Sequence, residues 1–231
     1  MCRMTKLRVA FIIVTSVILA GAVSLLCYAF LIQKESSSLL RDLRTLNVGR
    51  STSADAEQFV EDHHKFFESK NCEQSKCQYN FAIQNRWLAA LRLEPSAQFY
   101  AGITVENGMV TRFGASLIRS MEIYPTFQGS AGMAQKYVEL PEHFAQLGHY
   151  GSPTPIGKPY LEMVLDSHAD PSQQQRAFAF SFRCLTKLGG GCDLPCDYLP
   201  LAWQDWKTQL QTGGFPMSDF DQAYPNNKRC Q

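Results

Sequence analysis

An uncharged run of 24 residues, Val9–Ile32 (VAFIIVTSVILAGAVSLLCYAFLI), constrains everything else in this chain. As a helix it is roughly 36 Å long, enough to cross a hydrocarbon core of about 30 Å with some tilt. Arg3, Lys6 and Arg8 precede it, with no acid among them; Lys34 and Glu35 follow. This cationic excess predicts that residues 1–8 stay in the cytoplasm and that the bulk of the chain is exported. Ala20-Gly21-Ala22 is a passable cleavage site, but the apolar run continues well past it. The expectation is an uncleaved signal anchor over 9–32. Cys27 follows Leu25-Leu26, where a lipobox needs a small residue immediately before the cysteine.

Compartment decides how the cysteines are read. Two of the eight, Cys2 and Cys27, lie before or inside the anchor; the others are Cys72, Cys77, Cys184, Cys192, Cys196 and Cys230. An even number in an exported domain reads first as disulfides. Cys72 and Cys77 flank a polar tetrapeptide, and Cys184 and Cys192 bracket a stretch with three glycines resembling a hairpin end. Cys196 and Cys230 would then remain for each other, with Cys184–Cys196 as the rival pairing.

About 200 residues follow the anchor, enough for one compact domain or two small ones. The net charge of +1 gives no electrostatic case for nucleic acid. Charged residues at 19% and aromatic residues at 12% favour a well-buried, β-containing core over disorder.

Leu39, Leu40, Leu43 and Leu46 recur at helical spacing, so the anchor helix should continue outward and stop at Asn47-Val48-Gly49. A helix over Ser53–Lys70 carries the stripe Phe59, Val60, His63, Phe66 and Phe67, wide enough to lie on a sheet. Tyr79–Ile83 alternates as a strand, and Asn85–Leu93 reads as a short helical turn. Gln98–Ser120 reads as a hairpin. A two-residue Asn107-Gly108 turn would pair Val105 with Val110 and Ile103 with Arg112. A three-residue loop, Glu106–Gly108, pairs Val105 with Met109, Ile103 with Thr111 and Ala101 with Phe113. The second register aligns the apolar faces and is the one expected.

Residues 121–159 read as irregular, with short helices near Ala131–Val138 and from Pro141 to Gly148. A segment this long without strand pattern is where a binding surface could sit. Tyr160–Leu165 and Phe178–Cys184 alternate as two further strands. Trp203, Trp206 and Leu210 share one face of a helix beyond the cysteine corner, and Phe215–Gln231 reads as a loose tail.

The chemistry-bearing residues are few. Cys192 and Cys196 are spaced C-x-x-x-C, where a redox pair is usually C-x-x-C at a helix N-terminus; a structural disulfide is favoured. Zinc on Cys184, Cys192 and Cys196 would need an uncommon ligand spacing. His63 and His64 diverge by about 100° on a helix and do not share a metal easily. Asp166, His168 and Asp170 alternate at a strand end, as a solvated hairpin mouth would. Trp87, Trp203, Trp206 and Tyr198 could line a sugar or peptide groove but fit a core better. Gly129-Ser130-Ala131-Gly132 is one place short of a nucleophile elbow, and Gly157-Lys158 lacks the rest of a phosphate loop. No catalytic residue, cofactor or metal is expected.

Leu43–Asp55 (LRTLNVGRSTSAD), Asn85-Arg86-Trp87-Leu88, Gly157–Leu161 (GKPYL) and Arg183–Trp206 give most of the exported part a resemblance. It resembles single-span, membrane-anchored bacterial proteins of unknown function. That resemblance implies an anchored exported domain and transfers no functional residue.

The expected architecture is α+β: an N-terminal transmembrane helix, then an antiparallel sheet of about five strands covered by a helix, with a disulfide-stapled C-terminal corner. The divisions are a cytoplasmic N-terminus 1–8, the anchor 9–32, a juxtamembrane helix and linker 33–52, an exported α+β domain 53–212 and a tail 213–231. The expected role is a non-catalytic binding or scaffolding module of the bacterial envelope, with an envelope protein or wall polymer as partner. The alternative is a thiol-redox or metal-dependent enzyme centred on Cys192 and Cys196.

Overall fold

The computed structural model describes residues 2–86, 96–121, 124–134, 143–150, 158–186, 192 and 194–212. Helix α1 runs unbroken from Cys2 to Leu43, and its Phe11–Leu43 portion is long and apolar enough to cross a membrane near the N-terminus. Its burial changes abruptly. Phe30 and Leu31 are 66% and 51% exposed, whereas Ile32 is 4% exposed. Beyond that step Leu39, Leu40 and Leu43 recur every three or four residues and all point into the domain. Leu46 and Val48 continue the same apolar cluster. Residues 33–52 therefore supply core as well as connection.

The helix stops at Leu43, earlier than Gly49, which lies beyond it at φ 76. The Gly49 N–H donates to the Val110 carbonyl at 2.8 Å, and the Val110 N–H donates to the Ser51 carbonyl. These two bonds tie the chain leaving α1 to the sheet.

Helix α2 covers Ser53–Asp62, shorter than the expected Ser53–Lys70. A capping box starts it: the Asp55 N–H donates to the Thr52 hydroxyl, and the Thr52 N–H donates to the Asp55 carboxylate. The backbone N–H and then the hydroxyl of Thr52 hold the Asp55 carboxyl below its ordinary value. After a 3-10 turn at His64–Phe66, the chain extends as β1 (Phe67–Glu73), paired antiparallel with β2 (Lys76–Gln84). Pairing explains the shorter helix. Phe67 lies opposite Phe81, ring edge to face at 5.7 Å, and Cys72 lies opposite Cys77 and is disulfide-bonded to it. A helix through Lys70 would forfeit both.

The sheet continues through β3 (Ser96–Glu106), β4 (Met109–Met121), β5 (Tyr124–Ala134), β6 (His143–Tyr150) and β7 (Lys158–Asp166). It has seven strands in the order β1-β2-β3-β4-β5-β7-β6. The expectation of about five antiparallel strands is corrected in number and in sense, because β7 lies parallel to β5. Helices near Ala131–Val138 and from Pro141 to Gly148 are also corrected: the first begins inside β5 and the second overlaps β6. Local helix signals lose here to strand pairing, with β4 and β7 on either side of β5 and, among the described residues, β7 alone for the edge strand β6.

The β3–β4 hairpin corrects the expected register. Its turn is the two-residue Asn107-Gly108, both at positive φ (52 and 78), and Val105 pairs with Val110. A bulge at Thr111 then shifts the ladder, so Ile103 meets Phe113 and Ala101 meets Ala115. The apolar faces align as packing demands, but by a bulge inside the strand rather than a longer loop.

One face of the sheet is the core. Phe81, Phe99, Ile103, Val110, Phe113, Leu117 and Leu165 bury against the outer half of α1, α2 and the C-terminal layer. In that layer Phe178–Cys184 is not the expected strand. Helix α3 (Pro171–Ala177) leads into it, and a 3-10 turn at Phe182–Leu185 ends it. Phe178 sits 5.8 Å from Phe113, while Phe180 and Phe182 sit 5.7 and 4.9 Å from Phe99. The aromatic residues do enter the core, as a lid on the sheet.

The corner is closed by α4 (Pro195–Tyr198) and α5 (Pro200–Thr212). Cys184 bonds Cys192, as expected from their spacing, and the Tyr198 hydroxyl donates to the Cys192 carbonyl at 2.6 Å. Trp203 is 1% exposed, and Arg176 on α3 pairs with Asp205 on α5 at 2.6 Å. Asn85–Leu93 beyond Arg86 and the tail 213–231 lie outside the described residues.

Candidate binding face

The face of the sheet opposite the helices is polar and open over β2, β3 and β4. Alternation sets it: with Ala101 and Ile103, Phe113 and Ala115, and Ala131 and Met133 turned inward, the residue between each pair faces out. In all three strands that residue is glycine. Gly102 pairs with Gly114, and Gly114 pairs with Gly132, so three glycines stand in one row across β3, β4 and β5. Asn80 on β2 and Val164 on β7 end the row.

The glycines are not equivalent. A Cβ on Gly114 would lie 3.2 Å from the Ala131 carbonyl oxygen, and one on Gly132 would lie 3.3 Å from the Phe113 carbonyl oxygen. At these two a Cβ would press on the backbone of the neighbouring strand. At Gly102 the nearest atoms would be 3.8 Å away, which any side chain tolerates. Its bareness leaves space rather than relieving a clash.

Gly102 and Gly114 leave part of the floor bare in an open trough of about 1190 Å³, lined also by Arg50, Gln78, Thr104, Arg112, Ser116 and Ser167; Gly132, next in the row, is buried and does not line it. Lys76 and Glu106 on its rim pair at 3.0 Å. Asp166 and His168 pair at 2.7 Å, and the His168 backbone N–H and then its ring hold the Asp166 carboxyl below the ordinary range. Among the described residues Arg50 and Arg112 have no ion-pair partner, so the trough has spare positive charge.

The residues singled out in the sequence do not converge there. His63 is buried at the edge of the core, its ring 4.6 Å from Phe59 and its Nε2 3.3 Å from Asp42; His64 is exposed. Asp166, His168 and Asp170 separate in function. Asp170 caps α3, accepting from the Ser172 N–H at 2.7 Å, and the Ser172 hydroxyl and then this N–H lower its carboxyl pKa. That cap stabilises the fold while the carboxyl is ionised. Its contribution is complete above the ordinary carboxylate value of about 4 and is lost as pH falls through the lowered folded value. Urea midpoints taken down a pH series should show the wild type losing its advantage over Asp170→Asn in that acid window.

Cys192 is bonded to Cys184, and Cys196 is also disulfide-bonded, so Cys192 and Cys196 do not form a redox pair with each other. The expected partner Cys230 lies outside the described residues. Trp203 and Tyr198 are core, and Trp87 lies outside the described residues. Ser130 lies in the middle of β5, far from any strand-to-helix elbow. Among the described residues no group of three or more His, Cys, Asp or Glu is placed to hold a metal.

The glycine row was missed in the sequence. Its signal is present: Ala-Gly-Ile, Phe-Gly-Ala and Ala-Gly-Met each place glycine between two inward residues. Only the strand registers bring the three side by side.

No family model matches the chain, and no curated protein or solved structure matches it.

Proposed function

We propose that this chain is a single-pass protein of a bacterial envelope, its C-terminal domain outside the cytoplasm, acting as a non-catalytic module that holds a wall polymer. The cationic N-terminus supports this orientation. The cysteine pairs Cys72–Cys77 and Cys184–Cys192 suit an oxidising compartment. Retention of the anchor also has physical support. Cleavage after Ala22 would leave Val23, Leu26, Phe30 and Leu31, all exposed, to face water.

The observation that carries the reading is the glycine-floored trough. A sugar ring can lie against the floor bared at Gly102 and Gly114, and Arg50 and Arg112 suit carboxylate or phosphate groups on a wall polymer. The trough also lies on the correct side. Gly49 and Arg50 follow the outer end of α1, about 16 Å along the helix beyond Ile32. The alternative enzyme reading has less support, since Cys192 and Cys196 are both committed to disulfides.

The test is co-sedimentation of the full chain, in detergent micelles, with insoluble peptidoglycan. Gly102→Leu fills the trough at a position with room for a Cβ, and Arg112→Glu reverses its charge. Each should lower binding about tenfold or more, as expected for a lost charge-assisted or shape-determined contact of roughly 1.5–3 kcal/mol. Arg41→Glu, on the exposed side of α1, should bind as the wild type does. Equal sedimentation of all four proteins, or none by the wild type, refutes the reading.

A further inference from the structure

At the other end of the domain, a second cleft lies where α1 leaves the span. It is lined by Gln33, Ser181, Arg183, Thr186 and Pro200 beside the Cys184–Cys192 disulfide, and encloses about 480 Å³. The Gln33 side-chain amide donates to the Thr186 hydroxyl, joining helix to corner. We infer that this cleft seats the phosphate headgroup of an anionic phospholipid in the leaflet next to the domain. The inference rests on α1 being a membrane span.

Depth comes first. If the hydrocarbon core begins at Val9, just after the charged Arg8, about 20 helical residues cross its roughly 30 Å and bring the boundary near Tyr28. Gln33 then lies about 7 Å farther out, within the polar layer that brings a bilayer to about 40–45 Å. Burial agrees with this placement. Tyr28 and Ile32 already pack against the domain, while Phe30 and Leu31 between them face outward. No linker lifts the cleft away from the headgroups.

Chemistry comes second. Arg183 is exposed and, among the described residues, has no ion-pair partner. Among the described residues Asp197 is the one acid lining the cleft, and it accepts from the Leu194 N–H at 3.0 Å within the corner. Among the described residues, the Ser181 hydroxyl and the second Gln33 amide hydrogen offer neutral donors beside the Arg183 guanidinium, a set that suits a phosphodiester, while the Thr186 hydroxyl accepts from Gln33 and donates to the Arg183 carbonyl. At roughly 30 Å³ per liquid water, the space also admits a phosphate with its glycerol substituents.

The test uses the full chain in nanodiscs of equal phosphatidylglycerol and phosphatidylcholine, released into mild detergent, with retained lipid read by native mass spectrometry. The wild type should keep phosphatidylglycerol preferentially. Arg183→Glu should lower that retention about fivefold or more, given that one basic residue near an anionic surface is worth roughly that factor. Arg183→Lys should preserve most of it, and Arg41→Glu should not change it. Unchanged retention by Arg183→Glu, or no preference in the wild type, overturns the assignment while leaving the span intact. Failure of the chain to enter nanodiscs overturns the span and this inference together.

Discussion

A chain beginning at Ser53 will not fold, although it contains all seven strands. Leu39, Leu40, Leu43, Leu46 and Val48 lie in the same apolar cluster as Phe81, Phe99 and Phe113. Burying a large aliphatic side chain is worth about 1.5–3 kcal/mol. Losing five removes on the order of 10 kcal/mol, comparable to the whole stability of an ordinary domain. The truncation also removes Gly49 and Ser51, whose backbone groups bond Val110 at the start of β4. A chain beginning at Gln33 keeps all of these. Urea unfolding followed by circular dichroism should therefore give a cooperative transition for 33–231. The 53–231 chain should show no cooperative transition and should bind a hydrophobic dye. Equal, cooperative unfolding of both would show that the outer end of α1 and the segment after it are dispensable, and the description of the core would be wrong.

Valine should be tolerated at Gly102 and damaging at Gly114, although both are glycines at outward positions on adjacent, paired strands. At Gly114 the first added carbon meets the Ala131 carbonyl oxygen at 3.2 Å and the Gly132 Cα at 3.4 Å. Both are backbone atoms of the next strand, so relief requires opening the β4–β5 ladder. Overpacking of this kind costs about 1–3 kcal/mol, and a branched side chain pushes towards the upper end. At Gly102 no atom lies nearer than 3.8 Å, and valine favours extended backbone more than glycine does. Gly102→Val should be neutral or stabilising by up to about 1 kcal/mol. The separation between the two variants, roughly 3 kcal/mol, is easily resolved by denaturant midpoints. If both destabilise equally, strand approach does not explain Gly114.

The same two glycines show how far the binding face could be read in advance. Each strand's alternation reveals that Gly102 and Gly114 face away from the core. The bare part of the trough floor, however, exists only because Gly102 and Gly114 fall side by side, and that depends on the Thr111 bulge. The register expected from a three-residue loop would have paired Ala101 with Phe113 instead. His63 and Trp203 were easier, because each matches a local role, an edge-of-core ring and a buried indole; Asp166, His168 and Asp170 read as a hairpin mouth, whereas Asp170 caps helix α3.

Features set by composition or by separations of a few residues were determined by the sequence alone. These are the apolar helix at the N-terminus, the leucines that carry it into the domain, and the Cys72–Cys77 bond; for Cys184 the spacing left Cys192 and Cys196 both open, and the fold selects Cys192. Strand number and sense, the end of α2, the Phe178–Cys184 lid and the hairpin register were decided by tertiary structure. A helix bonds to itself within four residues, so its signal is local. A strand completes its hydrogen bonds only with a partner, and β5, with its glycine-rich run, becomes a strand because β4 and β7 lie on either side of it.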